Sequence, residues 1–274
     1  MTKILPVGDV LGFDAAGKFI NPCSLKNIVS PWSDVIDDVK QVYLERMGEN
    51  LHSVYVRGSI PRGTAVSGVS DVDTFAIITG DRWQHDLSWI AEAEQKLSKQ
   101  YPFQTGVEMQ LITLNELHEG KDIESIRFTI KILSTCVWGQ DIRRLIPSYK
   151  LGRYLIKDSL RLEKEINEVT QALSKEQSGE TVEMLCRWIM KVIIRAGHSL
   201  VIFKEGSYSR DLFPCYTGFC KHYPERAEEM KYALELAIEP IKDQQALLRF
   251  LKMFGSWLIA EILEIYPTNE KTYS

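Results

Sequence analysis

Two aspartates stand one residue apart, shortly after a glycine-rich loop. Asp71 and Asp73 open an apolar run that is typical of a β-strand. Because side chains alternate between the two faces of a strand, both carboxylates are predicted to project to the same side. Mg²⁺ prefers oxygen ligands and is usually held by a few carboxylates together with substrate phosphates. The pair therefore predicts a site for a divalent metal that carries a nucleoside triphosphate.

The segment before the aspartates supplies groups suited to phosphate. Gly58 and Ser59 end an earlier predicted strand, where glycine lets the backbone approach a phosphate and the serine hydroxyl can donate to it. Arg57 and Arg62 add positive charge near the phosphates. Ser70 either contacts a phosphate or caps the loop. This turn is thus predicted to hold the triphosphate.

A third carboxylate lies on a separate predicted strand. Glu108 sits in the alternating stretch 107–113 and joins the aspartates if the two strands are neighbours. Transfer of a nucleoside monophosphate needs a held triphosphate and divalent ions that bridge its oxygens. The ordered set therefore predicts metal-dependent nucleotidyl transfer. The sequence contains neither GxxxxGK[ST] nor a GxGxxG after a strand, which argues against P-loop and Rossmann sites.

The elements around these motifs alternate between helix and strand. Ser30 as N-cap and Pro31 at N1 predict the start of a helix that ends near Gly48. The other predicted elements of this half are strands at 53–57, 74–79, 107–113 and 135–138 and helices at 83–100 and 123–133.

Long helical patterns dominate after Pro147, at about 151–176, 180–205, 224–238 and 242–266. The second of them is apolar over much of its surface and is expected at the centre of a bundle. We therefore predict an α+β protein. A domain at 1–147 has a mixed sheet flanked by helices, and a helical domain follows at 148–274.

Composition is that of an ordinary globular protein. The 274 residues are 45% hydrophobic and 26% charged, with a net charge of -4. The acidic balance argues mildly against a nucleic-acid partner and is compatible with a cationic small molecule. No apolar run is long enough to span a membrane, and the N-terminus is too broken by Pro and Gly for a secretory signal. We expect a cytoplasmic protein with no membrane partner.

The five cysteines are scattered, odd in number and without a CxxC pair, which predicts buried free thiols rather than disulfides. The local group Cys215, Cys220 and His222 fits no zinc-ligand spacing.

At these motifs the sequence resembles the DNA polymerase β-like nucleotidyltransferase superfamily. The matching residues are Gly58-Ser59 and Asp71-x-Asp73, with Glu108 where the family places its third carboxylate. The motif covers about residues 50–115. The helical half looks like that of the two-domain aminoglycoside nucleotidyltransferases, while poly(A) polymerases, CCA-adding enzymes and cyclic-nucleotide synthases share the same core.

The resemblance implies two Mg²⁺ ions and attack of an acceptor hydroxyl on the α-phosphate, with loss of pyrophosphate. Asp71 and Asp73 would bind both metals and Ser59 would touch the β- and γ-phosphates. Glu108 would bind the catalytic metal, although the family more often has Asp there.

Related two-domain enzymes bring a Lys or Arg from the helical domain to the triphosphate. Arg187, Lys191 and Arg195 share one stripe of the 180–205 helix, and we favour Lys191 for this contact. The alternative is a solvated stripe that pairs with Glu163 or Glu183. Further along, Tyr208 and Arg210 either line the acceptor pocket or form a turn between helices.

This resemblance favours transfer of a nucleoside monophosphate to a hydroxyl of a small molecule. AMP from ATP is the favoured group. An aminoglycoside-type antibiotic is one candidate acceptor. Two alternatives remain open: modification of a protein or RNA, as in toxin–antitoxin nucleotidyltransferases, and a non-catalytic nucleotide-binding regulator. The nucleobase, the general base and the oligomeric state stay open.

Overall fold

The computed structural model describes residues 2–119, 123–175 and 177–267. The chain divides into two compact units. One is Gly12–Lys150, and the other joins Met1–Leu11 to Leu151–Ser274. The boundary predicted from the sequence lies between 147 and 148, with the N-terminal segment in the first domain.

The first unit is built on a four-stranded mixed sheet. Its strands are β1 (Leu51–Arg57), β2 (Val72–Ile78), β3 (Val107–Thr113) and β4 (Ser134–Gly139), in the order β3-β2-β1-β4. Strand β1 pairs antiparallel with β2 and with β4, whereas β2 and β3 are parallel. Together with its helices, this sheet confirms the predicted α+β class.

Four helices accompany the sheet: α1 (Trp32–Met47), α2 (Ser59–Arg62), α3 (Trp89–Gln100) and α4 (Ile123–Leu133). The apolar stripe of α1, with Val35, Ile36 and Val39, is buried in one core with Val54 and Val56 of β1. Burial of a Val or Ile side chain contributes roughly 1.5–3 kcal/mol. This core fixes one face of the sheet.

The opposite face of the sheet is also largely buried. Tyr55 and Phe75 stack there with ring centroids 5.0 Å apart, and Ile77 is fully buried beside them. Helix α4 contacts β1 and β4. The end of this face that carries Arg57 is charged.

The second unit is helical. Its helices are α5 (Leu162–Ala172), α6 (Gly179–Ser199), α7 (Ile202–Glu205), α8 (Leu212–His222), α9 (Ala227–Ile238), α10 (Gln244–Phe250) and α11 (Ser256–Ile265), with a π-helical turn at Leu251–Gly255. Helix α6 contacts α5, α8, α9 and α11, as expected for the centre of the bundle. Among the described residues, no helix combines the length and apolar character needed to cross a membrane.

Several predicted helix boundaries were wrong. The N-cap of α1 is Pro31 rather than Ser30, and it makes no side-chain cap hydrogen bond. Helix α3 begins at Trp89 instead of residue 83, because a capping box between Asp81 and Gln84 closes a separate 3-10 turn and His85 is extended.

The helical half is more broken than its sequence pattern suggests. Two 3-10 turns, Arg153–Ile156 and Ser159–Arg161, precede α5 where one helix from 151 was predicted. Helix α6 ends at Ser199, and α8 was missed altogether. Pro214 and Gly218 hide the helical pattern of α8, although proline is tolerated in a first turn.

All five cysteines are free thiols. Cys23, Cys186 and Cys215 are buried as predicted, whereas Cys136 and Cys220 are only partly buried.

Candidate active site

Three neighbouring strands bring three charged side chains into one row. Arg57 on β1 lies opposite Asp73 on β2, and Asp73 lies beside Glu108 on β3. Adjacent strands are about 4.8 Å apart, so the side chains of a row that share a face are immediate neighbours. The structure thus places Glu108 beside Asp73, although the two are 35 positions apart in the chain.

The arginine forms ion pairs with both acids. Its Nη2 atom lies 3.1 Å from Oε2 of Glu108 and 3.6 Å from Oδ1 of Asp73. The side chains of Arg57 and Asp73 are 27% and 21% exposed, and that of Glu108 is 45% exposed. Gln110 donates a further hydrogen bond to Oε1 of Glu108. The two carboxylates are therefore held together by a cation of the protein itself, where the sequence analysis had placed Arg57 near phosphates.

Helix α3 fixes the backbone on both sides of Glu108. The N–H group of Val107 donates to Oγ of Ser98 at 3.2 Å, and that of Met109 donates to Oε1 of Glu94 at 2.7 Å. Strand β3 is an edge strand, so these bonds satisfy groups that a neighbouring strand would otherwise pair. They hold Glu108 in its register.

Asp71 is exposed and precedes the first residue of β2. The residues on either side of it bond to the neighbouring segment: Val72 N donates to Gly106 O at 2.8 Å and Thr105 N to Ser70 O at 3.1 Å. The N–H group of Ser70 donates back to the carbonyl of Val66 at 2.9 Å, so the regular pairing with β3 begins at Val72. That Asp71 projects to the same side as Asp73 stays a prediction.

Gly58 makes the close approach of Asp73 possible. It has a φ of +85°, and a Cβ atom added to it would lie 2.9 Å from Oδ2 of Asp73. Another residue would be strained by the backbone conformation and would also press on the carboxylate. The glycine of the Gly58-Ser59 turn thus serves the acidic pair directly.

The remaining predicted phosphate contacts lie in the turn and the loop. Ser59 begins α2, and Nε of Arg62 donates back to the carbonyl of Gly58 at 3.0 Å. Ser70 accepts a hydrogen bond from the N–H of Val66 at 2.9 Å. Its hydroxyl therefore braces the loop, which is one of the two roles expected for it.

A metal at this face would need carboxylate donors. Across the described ranges, no group of three or more His, Cys, Asp or Glu side chains stands ready to hold an ion. Two of the three predicted ligands, Asp73 and Glu108, are nevertheless in register, and their hard oxygen donors suit Mg²⁺. The space that the missing Cβ of Gly58 leaves for the Asp73 carboxylate also fits such a ligand. Asp73 and Glu108 thus have the donor chemistry of magnesium ligands, and in this structure both pair with the Arg57 guanidinium.

In the helical unit, the predicted cation stripe lies on α6. Arg187 is exposed, while Lys191 and Arg195 are partly buried. Nε of Arg195 donates to the carbonyl of Arg210 at 3.1 Å. Glu183, one suggested partner of the stripe, lies 3.8 Å from Nζ of Lys242 on another segment.

The helical unit also contains a cavity of about 200 Å³ with charged and aromatic walls. Its polar lining comes from Asp158, Glu165, Arg195, His198, Tyr208 and Arg210. Nη1 of Arg210 lies 3.6 Å from Oδ2 of Asp158. Tyr208 and Arg210, named above as either pocket or turn residues, therefore line a cavity of the helical unit.

Burial shifts the pKa values of two cavity residues. Desolvation lowers the pKa of His198 to about 4, opposed by a weaker Coulombic attraction to Glu205, so the imidazole is neutral near pH 7. Desolvation also raises the pKa of Glu165, against the attraction of Arg161. Both shifts follow from walls that exclude water.

The N-terminal segment holds the loop that carries Tyr208 and Arg210. Leu11 N donates to the carbonyl of Tyr208 at 2.8 Å, and Ser209 Oγ donates to the carbonyl of Asp9 at 2.7 Å. Asp9 N donates to Oδ2 of Asp211 at 3.0 Å. These bonds join residues about 200 positions apart, so no local pattern in the sequence predicts them.

Sequence reasoning missed the acidic side of this cavity. Asp158 and Glu165 stand in a segment that reads as one amphipathic helix, where acids are usually solvated.

No protein-family model matches the chain, and no curated protein does. Nine chains of solved structures match it. One of them is spectinomycin adenyltransferase AAD(9) from Enterococcus faecialis, solved with ATP and spectinomycin. It has a TM-score of 0.49 and 13% identity, and the match covers 84% of this chain and 98% of that chain.

Proposed function

We propose that this chain is an enzyme, a Mg²⁺-dependent nucleotidyltransferase that moves a nucleoside monophosphate from a triphosphate to an acceptor hydroxyl. One observation carries the proposal: Asp73 and Glu108 lie in register on neighbouring strands, at the end of the sheet where the Gly58-Ser59 turn follows β1. Paired carboxylates beside a turn suited to phosphate are what this chemistry requires.

The acidic side chains at this end of the sheet are proposed to bind the metal. Asp71, Asp73 and Glu108 would hold two Mg²⁺ ions through carboxylate oxygens. Bound Mg²⁺ offsets the charge of the phosphates and activates the attacking hydroxyl. The protein's own contribution is to keep these carboxylates adjacent, which the strand register and the side chains of α3 already do.

The nucleotide is proposed to be ATP, held by the turn. Ser59 would donate to the β- and γ-phosphates, and Gly58 lets the backbone come close to them. Arg62 and Ser70 shape the turn and the loop through their bonds to Gly58 and Val66. Lys191 remains our candidate for a triphosphate contact from the helical unit.

The acceptor is proposed to be a small molecule with a free hydroxyl. The net charge of -4 is compatible with a cationic acceptor, and an aminoglycoside-type antibiotic is a cation with free hydroxyls. A cytoplasmic location, where ATP and Mg²⁺ are abundant, fits this activity.

The test is a screen of labelled nucleoside triphosphates with Mg²⁺ against aminoglycosides, other small hydroxyl compounds, RNA and proteins. We expect pyrophosphate release and labelling of a small molecule, lost in Asp71→Ala. Asp37→Ala is the matched control, because Asp37 is exposed on α1 and pairs with Lys40 away from the site. Full transfer by Asp71→Ala would refute the mechanism. Labelling of RNA or protein alone would replace the small-molecule acceptor.

A further inference from the structure

Arg57 already occupies the position between the two acids that a metal would need. Its guanidinium approaches Glu108 to 3.1 Å and Asp73 to 3.6 Å. A divalent ion bound to the same two carboxylates would be repelled by a guanidinium at such distances. Binding of the metal therefore requires that Arg57 leave at least one of its partners.

The guanidinium is only partly satisfied where it is. Its Nε atom is buried and has no hydrogen-bond partner among the described residues. Leaving a buried donor unpaired carries a free-energy cost, and the ion pairs use one end of a fork that has five donors. The present arrangement is therefore one that another anion can compete with.

A triphosphate is such an anion. Arg57 directly precedes Gly58 and Ser59, the turn proposed to hold the phosphates. A guanidinium binds phosphate oxygens in a forked geometry that matches its planar shape. The side chain can thus exchange carboxylates for phosphate without a change in its backbone position.

We infer that Arg57 is an exchangeable counter-ion that keeps free divalent metal off Asp73 and Glu108 until a triphosphate draws the guanidinium away. The inference rests on the proposed function, since it assumes the same metal and nucleotide sites. It makes metal and nucleotide binding mutually reinforcing, because each ligand removes an obstacle to the other. Arg57 should therefore weaken the binding of free divalent metal and strengthen the binding of the triphosphate.

The test compares Arg57→Met with wild type in two titrations. Binding of Mn²⁺ alone is followed by the electron paramagnetic resonance signal of the free ion, and binding of ATP is followed by calorimetry at saturating Mg²⁺. We expect Arg57→Met to bind Mn²⁺ about ten-fold more tightly and ATP about ten-fold more weakly than wild type. Arg127→Met is the matched control, because Arg127 is equally exposed at 27% and pairs with Glu124 on α4. It should match wild type in both titrations.

Unchanged or weaker Mn²⁺ binding by folded Arg57→Met would overturn the inference. If the melting temperature of that variant falls by more than about 5 °C, Arg57→Gln, which keeps a polar group, is judged by the same titrations. Absence of Mn²⁺ binding in every variant, with or without ATP, would instead refute the metal site of the proposed function. The two failures are thus distinguishable.

Discussion

The acidic end of the sheet and the cavity of the helical unit are both charged, but they are built in different ways. At the sheet, Asp73 and Glu108 lie on strands that local patterns identify, and the parallel register of β2 and β3 places them side by side. In the helical unit, Asp158, His198 and Arg210 come from three separate segments, and the loop of Arg210 is held by the N-terminal segment. A strand can be recognised locally in a sequence, whereas strand pairing and the convergence of helices and loops cannot.

The two regions also treat their charges differently. The sheet residues are between 21% and 45% exposed and neutralise one another across strands. In the cavity, His198 is 2% exposed and is kept neutral by burial. An exposed cluster can exchange partners with a ligand at low cost, while a buried group responds mainly to pH. Variants at the sheet should therefore change nucleotidyl transfer, whereas variants in the cavity should change stability.

The largest difference is expected at Glu108. Glu108→Gln should lower the rate of nucleotidyl transfer about a thousand-fold, because a neutral amide is a poor ligand for Mg²⁺. Its melting temperature should stay within a few degrees of wild type. Glu116→Gln is the control, since Glu116 is similarly exposed at 42% and accepts from Thr113 N at the other end of β3. Equal rates for the two variants would contradict a special role for the Asp73 end of the sheet.

The next effect is the acid sensitivity of the helical unit. The pKa of His198 is about 4 in the folded protein, below the usual 6.5, so stability is full above about pH 6.5 and is lost as the pH falls toward 4. The loss is on the order of 3 kcal/mol. Urea unfolding monitored between pH 7 and 4 should show this slope. It should flatten in His198→Leu but persist in His118→Gln, which changes an exposed histidine.

A smaller effect is expected at the glycine beside Asp73. Gly58→Ala should slow transfer about ten-fold, because its Cβ would lie 2.9 Å from Oδ2 of Asp73 and displace the carboxylate. Gly68→Ala has a similar φ of +77° and open space around its Cβ, so it carries the backbone strain alone. The comparison of kcat between these two variants isolates the contact with Asp73. Parallel losses in both would show that strain, not the carboxylate, is responsible.

The smallest effect concerns the loop in the helical unit. Ser209→Ala removes the hydrogen bonds to Asp9 O and from Asp211 N and should cost about 1 kcal/mol of stability. Thermal unfolding measures it. Ser207→Ala, in the same loop, serves as control and should be neutral. A neutral Ser209→Ala would mean that the N-terminal segment does not anchor this loop.

The sheet and the helical unit also differ in how much of their structure could be predicted from the sequence. The α+β class, the strands around Arg57 and Asp73, and the strand of Glu108 were predicted correctly because short apolar runs and the turns that bound them are local. The pairing of Arg57 with both acids was not, since a guanidinium near carboxylates and phosphates can serve either anion. The helix break before α5 and helix α8 were missed, because Pro214 and 3-10 turns interrupt the period that identifies a helix.

The central claim is that Asp73 and Glu108 jointly bind a divalent metal beside a nucleotide. Its most direct test is a crystal structure with Mn²⁺ and a non-hydrolysable ATP analogue, in which anomalous scattering locates the metal. We predict a peak at bonding distance, about 2.1 Å, from a carboxylate oxygen of both residues, with Arg57 turned to the phosphates. A bound analogue whose Mn²⁺ contacts neither Asp73 nor Glu108 would contradict the account.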